Sequence, residues 1–185
     1  MKTDVTRVMM DEHQLILRMI ALVERNTALL EQGAFRDWQF FLDAVDFIRN
    51  YADRFHHAKE EDVLFVALVD NGMPAKQSPI EAMQIEHEQG RAHVRALELA
   101  ARQALAGDDG KAGAIIAHAR GYARLLRGHI DKEDHILYPL AERVLPEAVR
   151  PAMLRGYAAA DARAAGLEDR CRQLVEHYEN TRAAA

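Results

Sequence analysis

Apolar residues recur at spacings of three and four along most of the chain, which is the period of an amphipathic helix. Glycines that favour helix ends, among them Gly33, Gly72 and Gly107, lie between the apolar stretches. An Ala-rich segment then predicts a fifth helix from Pro146 to about Tyr178. The four apolar stripes run through residues 5–30, 41–67, 80–101 and 115–140.

Short connections between four long helices favour antiparallel neighbours. The sequence therefore predicts an all-α fold, an up-down-up-down antiparallel four-helix bundle over residues 1–145 with an additional C-terminal helix, residues 146–185, packed on it. The third helix has the clearest start. Ser78 can cap it, Pro79 suits its first position, and Glu81 completes a capping box.

Composition narrows the classes of function. Aromatic residues are only 6% of the chain against 49% hydrophobic residues, which favours helices over sheets. The net charge of -5 is spread along the chain without a basic stripe, so we expect no nucleic-acid partner. The sequence shows neither a signal-peptide pattern nor a membrane-spanning run, and we expect a cytoplasmic protein without membrane contact.

An internal repeat selects polar residues that fall on the apolar stripes. Residues 55–65 match residues 128–138, with histidine, lysine, glutamate, leucine and an aromatic residue in register at an offset of 73. The lone His13 likewise resembles His87 at an offset of 74, since a glutamate precedes each of them. Each half therefore carries one lone histidine and one H-x-x-x-E motif in register with that of the other half.

The first half contains two such motifs that overlap. His57 and Glu61 form a second H-x-x-x-E one residue out of register with His56 and Glu60. The repeat counterpart of His57 is Ile130, which cannot bind a metal. We therefore predict that His56 and Glu60 are ligands and that His57 lies at the outer edge of the bundle.

These residue types at this spacing indicate a metal site. Residues four apart on a helix project from the same face, so each motif offers an imidazole and a carboxylate to a common point. An unpaired carboxylate on an apolar stripe is costly to bury without a cation. Nitrogen and oxygen ligands without thiolate suit iron, manganese or zinc, and carboxylates that can bridge favour a binuclear site. The predicted metal ligands are His13, His56, Glu60, His87, His129 and Glu133.

Taken in order, these residues resemble the hemerythrin-like family, also called the hemerythrin HHE cation-binding domain. The resemblance covers roughly residues 5–145 and rests on the two lone histidines and the two H-x-x-x-E motifs, each followed by leucine and an aromatic residue. It implies a cofactor of two non-haem iron ions, with manganese or zinc ranked lower. It also implies that Glu60 and Glu133 bridge the ions and that the four histidines are terminal ligands.

Two departures separate the chain from the oxygen-carrying hemerythrins. They have a further histidine one turn after the one that matches His87, where this chain has Arg91, and they use H-x-x-x-x-D in place of His129-x-x-x-Glu133. Arginine stays protonated and cannot replace that histidine. Six protein ligands leave a position for an external ligand. We expect its apolar lining to come from Val63, Leu64, Leu126 and Ile136.

The predicted function is binding or sensing of dioxygen or nitric oxide at a di-iron centre. The first alternative is an oxidoreductase that acts on peroxide or nitric oxide at the same centre. The second is an iron store or an iron-responsive interaction module. Whether the protein is an enzyme stays open at this point, and the C-terminal helix is a candidate surface for an oligomer.

Overall fold

Six helices make up the part of the chain that the computed structural model describes, residues 3–181. Within these residues there is no strand, so the predicted all-α class is confirmed. No helix of this part is long and apolar enough to span a membrane. The helices are α1 (Arg7–Glu31), α2 (residues 38–70), α3 (Pro79–Leu105), α4 (residues 112–144), α5 (Arg150–Arg163) and α6 (Leu167–Asn180).

Helices α2 and α4 continue through π-helical turns, each of which holds more residues than an α-helical turn. In α2, the α-helical segment Trp38–Phe47 leads into the π segments Ile48–His57 and Glu60–Leu64 and then into Phe65–Asp70. In α4, the segment Ala112–Lys132 leads into the π segment Glu133–Leu137 and then into Tyr138–Val144. A π segment thus begins at each glutamate of the two H-x-x-x-E motifs, so the internal repeat is also present in the backbone.

The four long helices form a closed ring of neighbours, in which α1 and α3 each contact both α2 and α4. The predicted start of α3 is confirmed, because the hydroxyl of Ser78 accepts a hydrogen bond from the N–H of Glu81 at 3.5 Å. The carboxylate of Glu81 in turn accepts from the N–H of Gln77 at 2.7 Å. The up-down-up-down order and the boundary at residue 145 stay predictions.

The hydrophobic core consists of two clusters with a polar layer between them. One cluster contains Ile16 of α1 and Val94 of α3, and the other contains Met9 of α1 and Met83 of α3. In α1 and in α3, a buried histidine lies between the two apolar positions. The layer that separates the clusters is therefore formed by the side chains that the repeat selects.

The C-terminal region differs from the predicted single helix. Pro146 lies before the helix, and α5 begins at Arg150 with a proline in its first turn, where the missing N–H costs nothing. The region then breaks at Gly166, whose φ of 73° suits glycine far better than other residues. The break places Tyr157 of α5 against one core cluster and Val175 of α6 against the other.

Candidate metal centre

Two groups of buried histidines and glutamates meet in the polar layer. One comprises His13, His56 and Glu133, the other His57, Glu60, His87 and His129, and the donor atoms of each group lie within 4.8 Å of one another. All seven side chains are buried, and both glutamates are 0% exposed. The structure thus brings together all six side chains predicted as ligands and adds His57 to them.

The spacing of donor atoms in the first group suits ligands of a shared ion. Nε2 of His13 lies 2.9 Å from Nε2 of His56 and 3.3 Å from Oε2 of Glu133. Nitrogen and oxygen ligands bind a transition metal at about 2.1 Å, so two ligands at right angles lie roughly 3 Å apart. An ion can therefore contact all three atoms with little rearrangement.

The second group has the same spacing and shares a carboxylate with the first. Nε2 of His87 lies 3.1 Å from Nε2 of His129 and 3.4 Å from Oε2 of Glu60. Glu133 joins the two groups, because its Oε1 lies 2.9 Å from Nε2 of His129 while its Oε2 faces the first group. This is the placement that a bridging carboxylate requires.

The buried carboxylates lack the donors that they would need without a cation. Oε2 of Glu60 and both oxygens of Glu133 have no hydrogen-bond partner among the described residues, despite the close histidines. The remaining oxygen, Oε1 of Glu60, accepts from the hydroxyl of Tyr138 at 2.6 Å. Buried carboxylate oxygens are rarely left unsatisfied, because the loss of hydration is not compensated. The donor set therefore fits bound metal ions.

A carboxylate fixes the tautomer of each of four histidines, which are His13, His56, His87 and His129. Because each Nδ1 donates to a carboxylate, a neutral ring carries its lone pair on Nε2, the atom that faces the neighbouring histidine. The four lone pairs therefore converge pairwise, as metal ligation requires. The Nδ1 acceptors are Asp134 for His13 at 2.8 Å, Glu12 for His56 at 2.8 Å, Glu61 for His87 at 2.6 Å and Glu86 for His129 at 2.9 Å.

A lysine stands behind two of these carboxylates. Nζ of Lys59 contacts Glu12, and Nζ of Lys132 contacts Glu86 in the matching place of the other half. The two lysines differ in their surroundings. Lys59 is 1% exposed and also pairs with Asp161 of α5 at 2.7 Å, whereas the side chain of Lys132 is 39% exposed. The C-terminal region thus reaches the surroundings of the centre through Asp161.

These supporting residues were not predicted from the sequence, although a signal for them exists. They recur at the repeat offsets of 73 and 74, like the ligands that they hold. Three recurring positions could have identified them. A glutamate precedes each lone histidine, a lysine precedes each motif glutamate, and an acidic residue follows each motif glutamate. The residues are Glu12, Lys59, Glu61, Glu86, Lys132 and Asp134.

The prediction that His57 lies at the outer edge of the bundle is wrong. Its side chain is buried, and its ring stacks on that of His87 with the centroids 3.8 Å apart and the planes at 14°. Residues 48–57 form a π helix, in which the 3.6-residue period used to assign faces does not hold. The comparison with Ile130 misleads because it concerns only metal binding, and Ile130 is itself buried, as His57 is.

A cavity of about 250 Å³ opens beside the second group and reaches His57, His87 and His129. Leu126 lies on its wall, in agreement with the predicted apolar lining, whereas Val63 and Leu64 do not line this cavity. The prediction for Ile136 is wrong, because this side chain is 56% exposed. Ile136 belongs to the π segment of α4, so the α-helical period again assigns the wrong face.

In the first group, the positive charge of a protonated histidine compensates the negative charge of the buried glutamate. Burial lowers the pKa of His13, but the hydrogen bond with Asp134 and the nearby charge of Glu133 outweigh it and raise the pKa to about 9. Burial dominates in His56 and lowers its pKa to about 3. Burial raises the pKa of Glu133, but the charge of His129 and the other histidine contacts hold it well below its usual value. Metal ions would take over this compensation and displace the proton.

Comparison with known proteins agrees with the donor set. The family model described as hemerythrin HHE cation binding domain matches residues 4–141, which include all seven donor residues. No match was found among curated proteins or among solved structures.

Proposed function

Because the chain belongs to the hemerythrin HHE cation-binding domain family, we propose that it is a non-haem di-iron protein that binds or senses dioxygen or nitric oxide. The proposed ligands are the six residues that the sequence selects, with Glu60 and Glu133 as bridges, and His57 as a seventh. The observation that carries the proposal is the set of three unsatisfied carboxylate oxygens at the point where four Nε2 atoms converge.

The chain's own residues support the chemistry of such a centre. A ferrous pair would supply electrons and an open position to a diatomic ligand. Phe65 lies against the ring of His87, with the centroids 6.1 Å apart, and helps to exclude water. The hydroxyl of Tyr138 donates to Glu60 and lies 3.5 Å from Nε2 of His13, so it holds a proton next to both.

We expect His57→Ala to weaken the binding of one metal ion by about tenfold or more and to leave the other site nearly unchanged. The reason is that His57 belongs to one donor group and not to the other. A competition titration with a coloured chelator measures both affinities. His93→Ala serves as the control, because His93 pairs with His118 at 3.3 Å and belongs to neither donor group. Two unchanged affinities would mean that His57 only packs against His87.

We expect nitric oxide to produce a new visible absorption band when it is added without air to protein loaded with ferrous iron. The band arises because the position not occupied by protein ligands accepts the diatomic molecule. Oxygen should produce a different band that bleaches when the iron is reduced. A protein that holds its iron but shows no spectral change with either gas would contradict binding of diatomic ligands.

A second candidate function is oxidation or reduction of a substrate such as peroxide, and the cavity beside the second group favours it. An open route from the surface to the donor residues allows substrate to enter and product to leave. The same iron-loaded sample separates the two functions. A binding protein consumes no peroxide beyond about one equivalent per centre, whereas an enzyme consumes repeated additions.

A further inference from the structure

The cavity beside the second donor group has the shape of a small-molecule site. It lies between α2, α3 and α4, and its volume of about 250 Å³ is far larger than a diatomic molecule needs. Gly90 of α3 lies on its wall, where an added Cβ would contact Cε2 of Tyr122 at 3.4 Å and Cδ2 of Leu125 at 3.8 Å. A larger side chain at position 90 would fill the space.

Two residues of the cavity wall carry buried polar atoms without hydrogen-bond partners among the described residues. The hydroxyl of Tyr122 is buried and makes no hydrogen bond among the described residues. Nδ1 of His57 is likewise unsatisfied, because Oδ1 of Asp53 lies 3.5 Å away and outside hydrogen-bond geometry. A buried hydroxyl without a partner is uncommon in proteins and indicates a water or ligand that completes it. The hydroxyl is closed to water in this conformation, so a small shift of the Tyr122 side chain is needed before it can donate to a molecule in the cavity.

The rest of the lining combines apolar walls with positive charge. Ile48, Val94 and Leu126 form apolar wall. Four arginines and two carboxylates also line the cavity. Arg49 and Arg91 pair with carboxylates, but Arg54 contacts only the amide of Asn50 and Arg95 has no charged partner among the described residues. The lining of the cavity therefore has a surplus of positive charge.

We propose that this cavity binds a small organic monocarboxylate with a short apolar body. The apolar body lies against Ile48, Val94 and Leu126, and a small shift of the Tyr122 side chain lets its unsatisfied hydroxyl donate to the carboxylate. Arg54 and Arg95 attract the anion from solvent. A diatomic ligand alone would leave most of the apolar wall uncovered, so the cavity suits a larger molecule.

This inference adds a ligand class to the proposed function. Its last step, an effect of the ligand on the metal centre, rests on the proposed function. His57 belongs both to the cavity wall and to the second donor group, so an anion in the cavity lies next to the metal ion proposed there. The centre would then act on a carboxylate substrate or respond to a carboxylate effector. The binding step itself requires only the protein side chains.

The test is calorimetric titration of the full chain with benzoate and with its uncharged analogue benzamide, using metal-free protein and protein loaded with redox-silent zinc. We expect benzoate to bind both forms and benzamide to bind at least about tenfold more weakly. Tyr122→Phe keeps the ring in place and should weaken benzoate binding by about tenfold. The double variant Arg54→Gln and Arg95→Gln should weaken benzoate binding more at low salt than at high salt. Arg124→Gln removes an exposed arginine of α4 outside the cavity and should change nothing.

Three results would overturn the inference. They are no benzoate binding to zinc-loaded protein, equal binding of benzoate and benzamide, and unchanged binding in both Tyr122→Phe and the double arginine variant. Zinc content is measured on the same samples. Benzoate binding that depends on Tyr122 in a protein that retains neither zinc nor, after anaerobic reconstitution, iron would support the cavity site while contradicting the proposed function, so the two failures are distinguishable.

Discussion

Glu133→Ala is expected to lower the affinity for both metal ions by more than about a hundredfold. Glu133 joins the two donor groups, with Oε1 2.9 Å from Nε2 of His129 and Oε2 3.3 Å from Nε2 of His13. In the proposed centre, its loss would remove a ligand from each ion and the bridge between them. Iron analysis after reconstitution and desalting measures the loss, and circular dichroism shows that the variant remains helical.

The matched control is Asp131→Ala, which removes a carboxylate from the same helix. The side chain of Asp131 is 74% exposed and pairs only with His135 at the surface among the described residues. This variant should keep the metal content of the wild type. If Glu133→Ala keeps it as well, the carboxylate does not bridge the two groups.

Lys59→Ala should destabilise the metal-free protein by about 3–5 kcal/mol, because it leaves buried carboxylate charge without its cation. Burial raises the pKa of Glu12 to about 7, and Lys59 is the main influence that lowers it. Asp161 of α5 loses the same partner. A change of this size corresponds to a fall in Tm of roughly 6–20 °C for a chain of this length.

Lys132→Ala tests whether burial causes this effect, because Lys132 contacts Glu86 in the equivalent place of the other half. Its side chain is partly exposed, so we expect a change of no more than about 1 kcal/mol. Urea unfolding of both metal-free variants compares the free energies. Equal losses in the two variants would mean that burial and the contact with α5 do not distinguish Lys59.

Much of the fold and of the candidate site could be predicted because both depend on local patterns. The 3.6-residue period and the cap at Ser78 placed the helices, since burial and capping act within a few residues. The repeat then selected His13, His56 and their counterparts, because two equivalent halves must supply equivalent side chains to a shared point. The structure brings all six of these side chains together.

The parts of the fold and of the site that were not predicted depend on features that a regular helical period does not contain. His57 and Ile136 lie on faces opposite to those expected because π turns change the number of residues per turn. The contact of Lys59 with Asp161 depends on how a later helix folds back, and a repeat within residues 1–145 carries no information about it. The break at Gly166 is a backbone feature inside an otherwise helical composition.

The most direct test of the account is iron analysis of the wild-type chain after anaerobic reconstitution with excess ferrous iron and removal of unbound metal. Two donor groups joined by Glu133 predict about two iron ions per chain, with an optical band of a bridged pair after exposure to air. A single tightly bound ion per chain after full reconstitution would contradict a binuclear centre.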